Sequence, residues 1–512
     1  MCMGGKADGV CGLAVVCCLA LALCHALHVP ASPIGRAEAF KAATAVEPGL
    51  SIGEDMGCEP YYVFIRGRGR GYVVAAGDDC APPILAVVDT GYYEPERMPQ
   101  FLKDWYAALS GAAALTDETR AARSKAPVSG YKEGWGDIAP MTTTKWSQYA
   151  PYNSLCPIDA YGGRSLAGCL ATACAQAIYY FRRDAAGQLS YDTPVYAGSG
   201  APVEVSYPKG TPIGYDLMAD SATGDADRDG AMALLTFAVG ASAGQAYGPA
   251  TVGSPMKAAE VLDRQFQLSN RLVSKEYRTF KEWETLIYSN LATGRPVLDF
   301  GSDSYGTGHA AVIDGYQAST GLYHFNMGWG GKYDGYYPVD EYYGVFGFGR
   351  GQRAIVDITP KRKRLSAEIL PCVLEEGEEG TVAVSVANGG TLPQYGFRLY
   401  CDYGDGPQPV AEDSSAVLLA DAESVVEFRF TPSEHGRAEL SVGDRSGGIV
   451  TKNPAIVEIA AMSETPTGVE SPLSGVSNGC EYYDTAGRRI PGRTRGVDIV
   501  RKGGKAWKVL RK

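Results

Sequence analysis

The sequence predicts a multidomain α+β chain, and three observations carry that expectation. At 512 residues it exceeds what one hydrophobic core can organise. From "TKWSQYAPYN", which begins at Thr144, to about Pro360 it is rich in Gly and Tyr, with helical runs early and strand-like runs late. Between 365 and 460 its character changes. There "GTVAVSVAN", "FRLYCDY" and "ESVVEFRFTP" alternate apolar and polar residues between turn formers, the pattern of a β-sandwich. A formal net charge of −11 excludes a general nucleic-acid binder, which needs a basic field.

The N-terminal residues 1–28 read as a signal peptide: Lys6 precedes the apolar run "GVCGLAVVCCLALALCHAL". Rival readings are a membrane anchor, for which the run is at the short limit of roughly 20 residues, and a lipid-modified Cys24, for which Leu23 is a poor neighbour. Export places the protein outside the cell or on its surface. Cys58, Cys80, Cys156, Cys169, Cys174, Cys372, Cys401 and Cys480 lie beyond this segment. Export permits disulfides, and Cys58–Cys80 and Cys372–Cys401 are the pairs that spacing allows within a domain. No Cys/His spacing suits zinc, and no metal or other cofactor is expected.

Residues 29–135 form the next region. Strand-like "YYVFIRG", "RGYVVAAGD" and "PILAVVDTG" precede an amphipathic helix, "PERMPQFLKDWYAAL". "RGRGRG" at 66–71 lies between two of these strands, so it reads as a hairpin turn and not an RNA-binding tract. The polar stretch 115–145 has linker composition and is open to proteolysis. In the following region, 136–361, "DADRDG" at 225–230 resembles a calcium loop, but its twelfth position is Thr236 where a Glu is needed, so it reads as an acidic turn. "PKRKR" at 360–364 is a charged hinge to the sandwich at 365–460. A flexible linker then leads to a basic module at 470–512 with three short strand-like pieces.

Two cysteines lie close together in "SLAGCLATACAQAIYYF", residues 165–181. Helix signals begin at Gly168–Cys169, which puts Cys169 in the first turn, where unpaired amides and the helix dipole favour a thiolate. Cys174 falls in the helix interior and reads as packing. A nucleophilic thiol needs a base, and beyond the signal the histidines are His309, His324 and His435. His435 belongs to the sandwich. If "GHAAVIDGY" and "LYHFNMGWGG" form a hairpin turning between Gln317 and Ala318, His309 stands opposite Asn326, which could orient the imidazole. In that register His324 faces Ala311 and reads as packing. The glycines before His309, Gly308 among them, leave room for a substrate backbone. From these residues alone, a catalytic and a structural reading stand level.

Four motifs in order, "TTKWSQYAPYN", "AGCLATACAQAIYY", "GHAAVIDGY" and "YHFNMGWGGKYDGYY", resemble the streptopain family of papain-like cysteine peptidases over about residues 50–360. The resemblance implies a papain-like domain at 136–361 with Cys169 as nucleophile and His309 as base. It gives Gln148 as an oxyanion donor beside the Cys169 amide, and Asn326 as the orienting residue. Met327 departs from the Trp often found there, while Trp329, Gly330 and Gly331 keep the pattern, so Met327, Trp329 and Gly308 are expected to line the site. The resemblance further implies that 29–135 is an inhibitory α/β prodomain with a cleavable linker. The partners are then polypeptide substrates and the chain's own prodomain. The final module is similar to type IX sorting signals of the Bacteroidota, which would add secretion machinery as a partner. Two other readings stay open: an exported adhesin or inhibitor with a dead site, and a Cys–His acyl or amide transferase. The presence together of Cys169, His309, Gln148 and Asn326 favours the secreted endopeptidase, because a dead site need not keep all four.

Overall fold

The computed structural model describes residues 32–51, 61–67, 71–79, 81–112, 132–194, 206–303, 306–339, 350–361 and 364–462, together with the strands within 481–511. The signal segment, Cys58, Cys80 and Cys480 lie outside the described residues. Two compact units divide at residues 361 and 362.

In chain order the first unit contains α1 (Arg36–Val46), β1 (Tyr61–Ile65), β2 (Tyr72–Ala76), β3 (Ile84–Val88) and α2 (Gln100–Ala112). There follow α3 (Cys169–Tyr180), α4 (Ala226–Ser242), α5 (Pro255–Arg264), β4 (Leu268–Ser274) and α6 (Phe280–Leu291). The unit ends with β5 (Val297–Ser302), β6 (Gly308–Gln317), β7 (Leu322–Asn326), β8 (Gly335–Tyr337) and β9 (Arg350–Pro360). The acidic turn at 225–230 caps α4: the Asp225 carboxylate accepts the amides of Asp227 and Arg228, two donors that a helix start leaves unpaired.

All nine strands join one sheet in the order β1-β2-β3-β8-β7-β6-β5-β9-β4, and every pairing is antiparallel. The basic stretch at 66–71 links the β1–β2 hairpin, with the Arg66 amide donating to the Gly71 carbonyl at 3.0 Å. The N-terminal strands and the later ones meet where Val87 pairs with Tyr336 and Val88 with Gly335. Only glycine fits that seam at 335, since a Cβ there would lie 2.4 Å from the Val87 carbonyl oxygen. Helices from both regions cover one sheet face. Trp105 of α2 and Trp283 of α6 share a core with Tyr72, Val74, Ala311 and Ile313. Each buried indole contributes about 5 kcal/mol of transfer free energy before its ordering cost. Burial thus joins the N-terminal region to the rest of the unit.

The second unit contains β10 (Leu365–Ile369), β11 (Leu374–Glu375), β12 (Gly380–Asn388), β13 (Gln394–Asp402), β14 (Gln408–Leu418), β15 (Ala422–Phe430), β16 (Gly436–Asp444) and β17 (Ala455–Ala460). They form sheets β10-β12-β15 and β11-β17-β16-β13-β14, the sandwich that the alternation predicts. Val382, Val384 and Val386 share its core with Phe397, Leu399 and Cys401. Cys401 is a buried free thiol and Cys372 is free as well, so the Cys372–Cys401 bridge that spacing allows is not formed. Last come β18 (Glu481–Tyr483), β19 (Arg489–Ile490), β20 (Gly496–Lys502) and β21 (Lys505–Arg511), a four-stranded antiparallel sheet where three strand-like pieces are expected.

Candidate active site

Cys169 opens α3, and the chain reaches it through Gly168 at φ +90°, a left-handed conformation. A Cβ at Gly168 would lie 2.9 Å from Gln245 Oε1, so both backbone and space require glycine. Beyond Cys169 the helix is buried from Leu170 to Tyr179, and Cys174 is a core thiol whose pKa burial drives up. Cys169 is half-buried, and its thiol lies near the amides of Ala310, Leu170 and Cys169 itself. Burial raises its pKa, and those amides oppose the shift. Gln148 stands close by: its carbonyl accepts the Ala167 amide at 3.0 Å, while its half-buried side chain makes no hydrogen bond among the described residues.

His309 lies on β6, next to the Ala310 amide that meets the thiol, but its imidazole makes no hydrogen bond with Cys169. Its Nε2 bonds the Met327 carbonyl at 3.0 Å, and its ring packs on Trp329 at 4.4 Å between centroids. A carbonyl only accepts, so Nε2 carries the proton and Nδ1 the lone pair in the neutral ring. Burial lowers the His309 pKa to about 4, with the Met327 carbonyl opposing. In this conformation burial disfavours the charged form of both thiol and imidazole.

The expected pairing of His309 with Asn326 is not the one formed. Val312 pairs with Asn326, and His309 pairs with Gly301 of β5. The hairpin turns through the four residues 318–321, with Gly321 at φ +72°, and a bulge lies between Ile313 and Gly315. A register shift of three residues puts His309 and Asn326 on opposite sheet faces, because side chains alternate along a strand. Asn326 instead accepts from Gln176 Nε2 and the Gly328 amide, both at 3.1 Å. Its own Nδ2 donates to the Thr144 carbonyl at 2.7 Å and Thr142 Oγ1 at 3.3 Å. It reaches His309 only through the backbone: the peptide whose N–H it accepts is the one whose carbonyl bonds the imidazole.

Two buried networks back this arrangement, and reading the sequence missed both. His324 packs opposite Gly315, not Ala311, and it bonds carboxylates on both sides. Nδ1 meets Asp314 at 2.5 Å, and Nε2 meets Asp89, at the end of β3, at 3.2 Å. Burial alone would lower the His324 pKa, but Asp314 and Asp89 outweigh it and raise it to about 10. Asp314 also accepts the Thr142 amide at 2.8 Å and its hydroxyl. In the second network Asp334 accepts the Met327 amide at 2.8 Å and the Lys145 ammonium at 2.9 Å. Both carboxylates stood inside quoted motifs, Asp314 in "GHAAVIDGY" and Asp334 in "GKYDGYY". Only the fold shows what each one meets.

A cysteine at a helix start, amides around its sulfur, and a histidine on the adjoining strand define a thiol peptidase of papain-like type, here sharing one sheet with an N-terminal domain. Residues 146–337 match the model of the Peptidase C10 family, and residues 35–113 match that of the Spi protease inhibitor. The peptidase region at 146–337 is thus of the peptidase C10, or streptopain, type, and a region matching a Spi-type inhibitor domain precedes it, as the motifs had indicated. It is 28% identical over 54% of its length to the thiol protease/hemagglutinin PrtT of Porphyromonas gingivalis, and the match covers 33% of that protein. It is 26% identical over 61% of its length to streptopain of Streptococcus pyogenes, covering 83% of that protein. A solved fragment of Prevotella intermedia prointerpain A is 26% identical, with a TM-score of 0.49, and the match covers 61% of this chain and all of the fragment.

Proposed function

We propose that the chain is a secreted cysteine endopeptidase made as a latent proenzyme. The observation that carries this reading is the thiol of Cys169 lying against the Ala310 amide, one residue from His309, in a unit whose sheet continues into the inhibitor domain. In the reaction His309 Nδ1 takes the thiol proton, and the sulfur attacks the scissile carbonyl. The oxyanion is held by the Cys169 amide and the Gln148 side chain. The imidazolium then protonates the leaving amine, and water, deprotonated by the same ring, releases the acyl-thioester. Activation requires thiol and imidazole to come into contact, which the present hydrogen bonds do not provide. Trp329 and Gly308 line the substrate side of this pair, whereas the Met327 side chain, expected there, is buried in the core with Phe325 and Tyr337. The apolar N-terminal run supports export, and the strand-rich basic module supports a sorting role. The alternation within 365–460 supports an immunoglobulin-like sandwich.

Intact mass of the chain lacking residues 1–28, incubated with reductant with and without an epoxide thiol-protease inhibitor, tests the reading. Self-cleavage in the 115–145 linker without the inhibitor, and one adduct on Cys169 that Cys169→Ala lacks, are expected. Gln148→Ala should cut kcat about 10²–10³-fold in a peptide-hydrolysis assay. If neither cleavage nor adduct forms after an added protease has cut the linker, the site is dead. An adduct without hydrolysis would mean transfer chemistry.

A further inference from the structure

The carbonyl that holds His309 belongs to the Met327–Gly328 peptide, and the backbone around it is pinned on both sides. The Gly328 amide donates to Asn326 Oδ1 at 3.1 Å, and the Met327 amide donates to Asp334 Oδ1 at 2.8 Å. Asp334 has no exposed side-chain surface, and its second oxygen takes the Lys145 ammonium at 2.9 Å. A buried carboxylate is expensive unless both oxygens are satisfied. This one spends an oxygen on a single amide, two residues along the chain from Trp329, which packs on the imidazole. The Asp334 carbonyl also accepts the Asp89 amide at 2.9 Å, so the inhibitor domain grips the same segment.

We propose that Asp334 is a positioning residue for catalysis: through the Met327 amide it fixes the carbonyl that holds the His309 imidazole, the group Cys169 must meet on activation. The proposal rests on the peptidase reading above. Lys145 holds the carboxylate, the carboxylate holds the Met327 amide, and the Met327 carbonyl holds Nε2, so that Nδ1 keeps one direction. A misplacement of about 1 Å in such an array costs on the order of 10² in rate.

The test uses the full chain with its linker cut by an added protease, comparing wild type, Asp334→Asn and Asp334→Ala. Readouts are kcat and KM on a fluorogenic peptide across pH, and the rate of Cys169 alkylation by iodoacetamide across the same range. Asp334→Ala is expected to lower kcat about 100-fold with KM within twofold. Asp334→Asn keeps an acceptor oxygen but loses the Lys145 pairing, and should lower kcat about tenfold while shifting the limb of the pH profile that reports His309. Should Asp334→Ala fail to fold, the nearly isosteric Asp334→Asn decides alone. A folded variant with wild-type kcat and an unmoved limb overturns the proposal, as does a loss confined to KM or to Tm. If the wild type itself hydrolyses no peptide, the peptidase reading fails, and the alkylation profile still shows whether Asp334 governs the Cys169–His309 pair.

Discussion

His309 and His324 sit on neighbouring strands of one sheet, both buried, and their surroundings push them in opposite directions. His309 has a carbonyl as its hydrogen-bond acceptor, and burial lowers its pKa to about 4. His324 has Asp314 on one nitrogen and Asp89 on the other, and these carboxylates raise it to about 10 against the same burial. A general base must be uncharged while it waits for a proton, and an ion-paired imidazolium cannot serve. The contrast teaches that the nearest carboxylates, and not burial or strand position, set the two histidines' shifts in opposite directions. It also shows the inhibitor domain contributing charge, since Asp89 belongs to that domain and His324 to the peptidase.

The contrast can be broken at either end. His309→Ala should remove about 10²–10⁴ of the hydrolytic rate at least, with unfolding free energy in denaturant changed by no more than about 1 kcal/mol. Asp314→Ala should do the reverse. It leaves the buried His324 with the half-buried Asp89 as its one carboxylate and costs about 3–5 kcal/mol of stability, read from the same denaturation curves. Asp89→Asn removes the half-buried partner only, so a smaller loss is expected, together with faster dissociation of the cut inhibitor domain in size-exclusion chromatography.

The pH dependence sharpens the comparison, because the two shifts have opposite signs. His324 is raised above its ordinary 6.5, so its stabilisation is complete below about 6.5 and is lost as pH climbs toward about 10. His309 is lowered, so the unfolded chain takes up a proton that the folded chain refuses, and stability falls as pH drops from about 6.5 toward 4. Scanning Tm of Cys169→Ala across pH should therefore show losses on both flanks. Asp89→Asn should flatten the alkaline flank and leave the acid flank in place. Equal flattening of both would mean that the assignment of the two histidines is wrong.

Much of this was legible from residue order. The start of α3 at Cys169 follows from Gly168 and an unbroken Ala-rich run, and the sandwich strands follow from strict alternation. Those are local properties, decided by dihedral preference and by which face of an element is apolar. The β6–β7 register was not legible, because it depends on one turn length and one bulge, and an odd shift sends every side chain to the other face. Asn326 therefore has the residue type of an orienting group yet meets the Met327–Gly328 peptide and not the His309 ring, and His324, read as packing, is the centre of a carboxylate network.

What the sequence by itself determined is the order of the domains, the helix that presents Cys169, and the strand that carries His309, because short-range periodicity and chain connectivity encode them. Tertiary structure alone decided which atoms meet. Asp89, Asp314 and Asp334 lie far apart along the chain from some of the groups they bond, and only burial in a shared sheet makes those charges seek each other.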